Sequence, residues 1–400
     1  MQTGKGIKTS MDETIPYGRQ DVSDADVQAV VDVLRSDFLT QGPVVPKFEN
    51  DVANFCRVKF AVAVNSATSA LHIACLALDV GPGDMVWTVP TTFVASANCA
   101  LYCGANVDFV DIDPQTYNLS VNRLAEKLET ARAKNNLPKV LIPVHLCGQS
   151  CDMAAIYALS QEYGFRIIED ASHAIGGRYL EEAVGNCRYS DITVFSFHPV
   201  KIVTTGEGGI ALTGDARLAR KLKYFRSHGI TSDKREMEDR PDDEIWNYQQ
   251  VELGFNYRMT DIHAVLGLSQ MTRLEAFVCR RNQIAKRYDE AFKDLPVKTP
   301  FVDPTVYSSF HLYVVCLLQE AGARSQREVY NALREAGILV NLHYIPVYRQ
   351  PYFEKLGFKP GYCPESEEYF KSTISLPMYP AMNNEQQDRV IAVFRSIVSQ

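Results

Sequence analysis

Phe195-Ser196-Phe197-His198-Pro199-Val200-Lys201, continued by Thr204-Thr205-Gly206-Glu207-Gly208-Gly209, is the stretch on which the fold turns. The apolar run Ile192 to Phe197 gives way to His198, Pro199 and one lysine. A second apolar run, Ile210 to Leu212, starts just past a glycine-flanked glutamate. A lysine at such a strand-edge turn, with glycine thinning the backbone around it, is placed to attack a carbonyl rather than to be solvated. An amine held there can form a Schiff base, and the commonest protein use of one is to hold pyridoxal phosphate. An ordinary loop lysine fits the same residues, and on this stretch alone both readings stand.

Upstream, from about residue 60 to 215, short β-rich runs alternate with helical stretches. The runs are Phe60 to Val64, Met85 to Val89, Val107 to Asp111, Val140 to Val144, Arg166 to Glu169, Ile192 to Phe197 and Gly209 to Thr213. Amphipathic segments such as Asn122 to Ala133 and Met153 to Tyr163 separate several of them. That alternation predicts an α/β fold, a mostly parallel sheet covered on both faces. Asp215 to His228 reads as a helix, with Leu218, Leu222 and Phe225 on one face. Residues 232 to 250 carry dense mixed charge, Pro241 and no periodicity, the composition of a mobile loop. A long helix is expected from Thr260 through Phe292. A smaller α+β part follows it, with strands over Phe310 to Leu318 and Ile338 to Asn341 and a helix over Gln326 to Glu335. The expected division is a flexible lead-in over 1–14, a large domain over 15–275 and a small one over 276–400.

The chain has 400 residues, 46% hydrophobic, and a net charge of −7. An acidic balance with no basic stripe argues against nucleic acid as a partner. No apolar run approaches the ~20 residues that span a bilayer. Met1 to Thr14 lacks the apolar stretch of a secretory signal, so a cytoplasmic location is expected. The ten cysteines show none of the two-residue spacings of zinc sites and read as reduced, small hydrophobes.

Ligands of open parallel sheets bind beyond the carboxyl ends of the strands, and three expected strands end in suitable groups. Phe60 to Val64 runs into Asn65-Ser66-Ala67-Thr68-Ser69 at a helix start, whose free N–H groups suit a phosphate; a plain N-cap at Ser66 or Thr68 explains the same residues. Arg166 to Glu169 runs into Asp170-Ala171-Ser172-His173. A buried carboxylate there needs a cationic partner such as a protonated pyridine nitrogen, or else serves as a structural cap. His173 suits a phenolic ring oxygen or a satisfied core. Trp87 to Phe93 supplies Phe93, which suits stacking on a flat ring or simple core packing. Asp111 and Asp113 lack a third ligand and read as a strand end and a turn, so no metal is expected.

Taken together, a phosphate cup, an aromatic, an acid and a lysine follow the order and spacing of fold-type-I pyridoxal-phosphate enzymes. Over nearly its whole length the sequence resembles the DegT/StrS-type sugar aminotransferases. The resemblance is carried by "LTQGP" with Phe48-Glu49, "NSATSALH", "TTFVASANCAL", "EDASHA", "FSFHPVK", "TTGEGG", "GFNYRMTDI" (Gly254 to Ile262), "LHYIPVY" (Leu342 to Tyr348) and "SLPMYP" (Ser375 to Pro380). It implies that Lys201 bonds the cofactor and that Asp170 faces the pyridine nitrogen. Ser196 and the Ala67-Thr68 backbone would hold the phosphate, and Phe93 would cover the ring. His173 would reach the ring oxygen, although many members have glutamine there. Asn256 would serve the phosphate of a neighbouring subunit, which implies a homodimer with shared sites. Tyr17, Asp37, Phe38, Leu39, Thr40, Asn341, Leu342, His343 and Tyr344 match stretches that line the sugar-nucleotide site.

The implied cofactor is pyridoxal 5′-phosphate, alternating with pyridoxamine phosphate. The implied reaction moves an amino group from L-glutamate to a nucleotide-linked keto-sugar, Lys201 carrying the proton in both halves. "NSATSAL", "SDFLTQGP", "SFHPVK" and "RSHGI" are most similar to the branch of the family that aminates C4 of a UDP-linked 4-keto-6-deoxy-N-acetylhexosamine in pseudaminic acid biosynthesis. Other 3- or 4-keto nucleotide sugars, of the perosamine or aminoarabinose type, are the alternative substrates. A non-catalytic cofactor-binding regulator is the alternative from outside enzymology. Sister sugar dehydratases carry histidine at the lysine position, so Lys201 argues against them.

Overall fold

In the structure, a computed structural model describing residues 14–239, 241, 243–318 and 324–399, the seven β-rich runs form one sheet. They are β1 (Phe60–Val64), β2 (Met85–Thr88), β3 (Asn106–Phe109), β4 (Val140–Ile142), β5 (Arg166–Asp170), β6 (Ile192–Ser196) and β7 (Gly209–Thr213). Apart from Thr14, the expected lead-in lies outside the described residues. The hydrogen-bonded order is β1-β7-β6-β5-β4-β2-β3. All pairs are parallel except those of β7, which runs antiparallel to both β1 and β6. β4, β6 and β7 are buried along their whole length. That is why they read as unbroken apolar runs rather than alternating ones.

Because only β7 is reversed, its first residue sits beside its neighbours' last ones. Gly209 pairs with Val64 on one side and Ser196 on the other. Helices Ala67–Ala77, Ala95–Tyr102 and Ala216–Arg226 pack one apolar cluster against the sheet, and Val44–Cys56 packs another. Each fully buried Leu, Ile or Val contributes about 1.5–3 kcal/mol, so this two-sided cover fixes the strand ends that carry the site.

The helix expected over Thr260 to Phe292 is two helices, Asp261–Met271 and Leu274–Phe292. The break is held by long-range ion pairs, with a side-chain hydrogen bond beside them. The Thr272 hydroxyl donates to Ser269 O at 2.6 Å, and Arg273 turns away to Asp26 (2.5 Å) and Asp21 (3.3 Å). Apolar periodicity continues across the join and hides it. In the second helix, Leu274, Phe277 and Val278 pack with the sheet, whereas Ile284, Tyr288 and Phe292 enter a separate core. We propose the boundary between two units near 275/276, shortly before this helix passes from one core to the other between Val278 and Ile284.

That second core backs an antiparallel sheet in which Tyr313–Leu317 lies between Val297–Lys298 and Thr373–Leu376. Ile338–Leu339 pairs in parallel with Ile15–Pro16, tying the start of the described chain to its C-terminal part. The two acidic residues Asp111 and Asp113 are structural. Asp111 accepts from the amides of Glu365 and Ser366, and Asp113 from those of Gln115 and Thr116. The charged stretch 232–250 is closed at its base by Ile230–Thr231 pairing with Gln249–Gln250. Among the described residues no helix is long and apolar enough to cross a membrane, and no cluster of potential ligands could hold a metal ion.

Candidate active site

A cavity of about 500 Å³ opens at the carboxyl ends of the strands, between the sheet and residues 341–345. β1 delivers the chain to Ser66, the N-cap of helix Ala67–Ala77. Its Oγ accepts from the Ser69 amide at 3.2 Å, while Ser69 Oγ donates to Asn65 Oδ1 at 2.7 Å. The capping role of Ser66 is therefore present. It leaves the Ala67 and Thr68 amides without a partner among the described residues, at the cavity wall. Gly209 keeps that place clear: a Cβ there would stand 2.4 Å from Ala67 N and 2.5 Å from Ser66 C. The reversed strand β7 thus brings side-chain-free backbone against the helix N-terminus. Two adjacent amides at a positive helix end suit an anionic group, and Ser196 lies beside them in the same wall.

Asp170 ends β5 and is buried. Its Oδ2 accepts from Ser96 Oγ at 2.6 Å, and its Oδ1 from Ser172 Oγ at 2.6 Å and Ser172 N at 3.1 Å. Ser96 in turn contacts Thr92 Oγ1 at 2.8 Å. Hydroxyl donors on both oxygens fix the carboxylate in place. Across the cavity, Lys201 Nζ makes no hydrogen bond among the described residues. Burial lowers its pKa to about 8, and the charge of Asp170 offsets part of that drop. A half-buried, unpartnered amine near its own pKa is an available nucleophile and base. Phe93 lies at the mouth, 59% exposed although aromatic, as a ring waiting for a flat partner would be.

His173 is buried beside Lys201. Its Nδ1 is 3.3 Å from the Cys147 amide and its Nε2 is 3.2 Å from the Tyr344 hydroxyl. Burial, then the charge of Lys201, hold it well below the usual histidine range. His343 is likewise depressed, to about 3, by burial and Lys201. Tyr17, Asn341, Leu342, His343 and Tyr344 all line the cavity. Asp37, Phe38, Leu39 and Thr40 do not. They are exposed on the surface, where Leu39 O accepts from the Asp261 amide and Thr40 bridges Thr260. Asn256 is also exposed, bridging Ser227, and is not part of this chain's own cavity wall.

Sequence reasoning missed Ser96 and Ser172, which hold Asp170, and the requirement for glycine at 209. Ser172 was legible as an Asx-turn partner two residues after Asp170. Ser96 carried no signal, because its contact joins residues 74 positions apart.

The groups present fit pyridoxal phosphate: amides for a phosphate, a carboxylate for a pyridine N–H, a free amine for its aldehyde and an aromatic for its ring face. The sequence profile described as the DegT/DnrJ/EryC1/StrS aminotransferase family matches residues 20–395. The chain is 38% identical to the spore coat polysaccharide biosynthesis protein SpsC of Bacillus subtilis, over 96% of this chain and 97% of that protein. It is 35% identical to the UDP-4-amino-4,6-dideoxy-N-acetyl-beta-L-altrosamine transaminase of Campylobacter jejuni, over 92% and 93%. Among solved structures, Helicobacter pylori PseC, an aminotransferase involved in the biosynthesis of pseudoaminic acid, superposes with a TM-score of 0.87 at 29% identity, covering 97% of this chain and all of that one. The putative sugar aminotransferase Spr1654 of Streptococcus pneumoniae, in its pyridoxal-phosphate form, gives 0.84 at 30% identity over 96% and 98%. The sheet, the cavity and these matches agree: the chain belongs to the DegT/DnrJ/EryC1/StrS aminotransferase family and is a fold-type-I, pyridoxal-phosphate-dependent sugar aminotransferase.

Proposed function

We propose that this enzyme transfers the amino group of L-glutamate to C4 of a UDP-linked 4-keto-6-deoxy-N-acetylhexosamine, in a pathway of the pseudaminic acid type. The observation that carries the reading is Lys201, an unpartnered amine of pKa about 8 facing Asp170 in a cavity that closes on residues 341–345. Bound pyridoxal phosphate supplies the electron-withdrawing ring that stabilises negative charge at the amino donor's α-carbon. Asp170, fixed by Ser96 and Ser172, keeps negative charge at the base of the site. The Ala67 and Thr68 amides anchor the phosphate end. Lys201 Nζ takes the proton from the donor's α-carbon, and in the second half it moves the proton at sugar C4. His343 and Tyr17, rings 5.4 Å apart, wall the side where the sugar enters.

The reading includes a homodimer with shared sites. Asn256 and the 37–40 stretch, absent from the cavity wall of their own chain, serve the cavity of a second copy. We also propose a cytoplasmic location, with which ten unpaired thiols are compatible.

The 38% identity to SpsC favours a second reading, in which the acceptor is another keto nucleotide sugar destined for a surface polysaccharide. One experiment decides between them. Purified enzyme and L-glutamate are incubated with a panel of UDP- and dTDP-linked 3- and 4-keto-sugars, with 2-oxoglutarate measured and products identified by mass and NMR. The first reading expects the UDP-4-keto-6-deoxy-N-acetylhexosamine to be aminated best. Preference for a dTDP sugar or for C3 amination would replace it.

A further inference from the structure

The Tyr344 hydroxyl lines the cavity and has a single partner among the described residues, His173 Nε2 at 3.2 Å. The direction of that bond is set on the far side of the imidazole. The Cys147 backbone amide points at His173 Nδ1 from 3.3 Å. A backbone N–H can only donate, so Nδ1 is bare, and the neutral ring's one proton sits on Nε2. Nε2–H therefore donates to Tyr344 Oη. Having accepted, Oη keeps its own proton for a second acceptor, and the open space before it is the cavity.

The imidazole is held in this orientation. His311 packs on it with ring centroids 4.3 Å apart and planes tilted by 50°, and Ser309 Oγ donates to His173 O at 2.9 Å. Protonation states agree with the geometry. Burial and the charge of Lys201 keep the histidine neutral. Burial, then Cys147, Tyr17 and Asp170, push the Tyr344 phenol far above its ordinary value, so it stays protonated. Sequence reading assigned His173 to the cofactor ring oxygen directly; here its only N–H is committed to Tyr344.

We propose that Tyr344 is a directed hydrogen-bond donor to an anionic oxygen of the bound ligands, and that His173 is the positioning residue that aims it. Two ligands bring such an oxygen near Lys201: the α-carboxylate of the amino donor and the ring oxygen of the cofactor. Neither depends on which keto-sugar is the acceptor.

The test compares Tyr344→Phe, His173→Leu, His173→Gln and the double variant Tyr344→Phe/His173→Leu, all as cofactor-loaded enzyme. Two equilibria are measured: L-glutamate binding in the first half-reaction, read from the visible spectrum, and cofactor dissociation, read by fluorescence. Tyr344→Phe is expected to weaken one of them about tenfold, the loss of a hydrogen bond to a charged group. A loss confined to glutamate identifies the carboxylate, and a loss confined to the cofactor identifies the ring oxygen. His173→Leu should match it, and the double variant should be no worse than Tyr344→Phe alone, since the two act in series. His173→Gln should hold near wild type, because an amide oxygen accepts from Cys147 while its N–H₂ donates to Tyr344. Additive losses in the double variant, or Tyr344→Phe unchanged in both equilibria, overturn the proposal. So does ¹⁵N NMR of labelled histidines showing His173 protonated on Nδ1. If wild-type enzyme itself ignores L-glutamate, the donor assignment fails on its own, and the cofactor equilibrium and the NMR still judge the relay.

Discussion

The cleanest perturbation is of pH, with the Lys201 amine as its reporter. A pKa of about 8 leaves roughly one-tenth of the amine neutral at pH 7, against about one part in 3,000 for a lysine at its ordinary 10.4–10.5. In apoenzyme, Lys201 should therefore outpace surface lysines by about two orders of magnitude near neutrality, once lower basicity takes back part of the gain. Competitive labelling with limiting 1-fluoro-2,4-dinitrobenzene, read peptide by peptide by mass spectrometry, gives the titration directly. The Lys201 curve should rise from pH 6, pass its midpoint near 8 and flatten above pH 9, where other lysines are still climbing. The sign of a second change tests the cause. Burial lowers the pKa while the Asp170 charge raises it, so Asp170→Asn should move the midpoint further down. A midpoint near 10.5, or an upward move in Asp170→Asn, would refute the claim that burial governs this amine.

Four further outcomes follow from the same geometry. Lys201→Ala should abolish transamination while the protein still binds cofactor through Asp170 and the helix N-terminus; near-normal turnover would remove the lysine from the chemistry. Asp170→Asn should fold yet lose activity by several kcal/mol of barrier, and wild-type kinetics at saturating cofactor would make the residue merely structural. Gly209→Ala forces a Cβ to within 2.4 Å of Ala67 N, so it should cost about 1–3 kcal/mol of stability and weaken cofactor binding in equilibrium titration. Unchanged cofactor affinity would move the phosphate site elsewhere. For Asn256→Ala, mixing with inactive Lys201→Ala subunits should restore activity, because each hybrid dimer carries one site with both lesions and one with neither; no recovery despite proven subunit exchange would end the shared-site proposal.

The sheet was legible because its strands are buried on both faces and punctuated by Asn65, Asp170 and Gly209, each of which ends or begins one. Lys201 and Asp170 were legible for the same reason, as polar residues where apolar runs stop. Features joining distant segments were not. Ser96 meets Asp170 through tertiary packing, and the two-residue pairing of Ile15–Pro16 is too short for any periodicity. The break at Thr272 and Arg273 was hidden because the ion pairs that cause it lie at the other end of the sequence, on Asp21 and Asp26. Local pattern reports local cause, and these three have none.

The pairing of Ile15–Pro16 with Ile338–Leu339 has a consequence for how the chain is made. Ile15–Pro16 leave the ribosome long before Ile338–Leu339 and must wait for that partner strand to exist. The sheet core over β1 to β7 can assemble meanwhile, since all seven strands precede Gly214, whereas the C-terminal unit closes only when the early segment returns to it. Closing so long a loop costs little more than closing a moderate one, but it comes last and slows the final step. Tyr17 travels with that segment, and its carbonyl accepts from the Met378 amide at 3.0 Å. The side of the cavity lined by Tyr17 is thus completed at the end of folding, after the wall that carries Lys201.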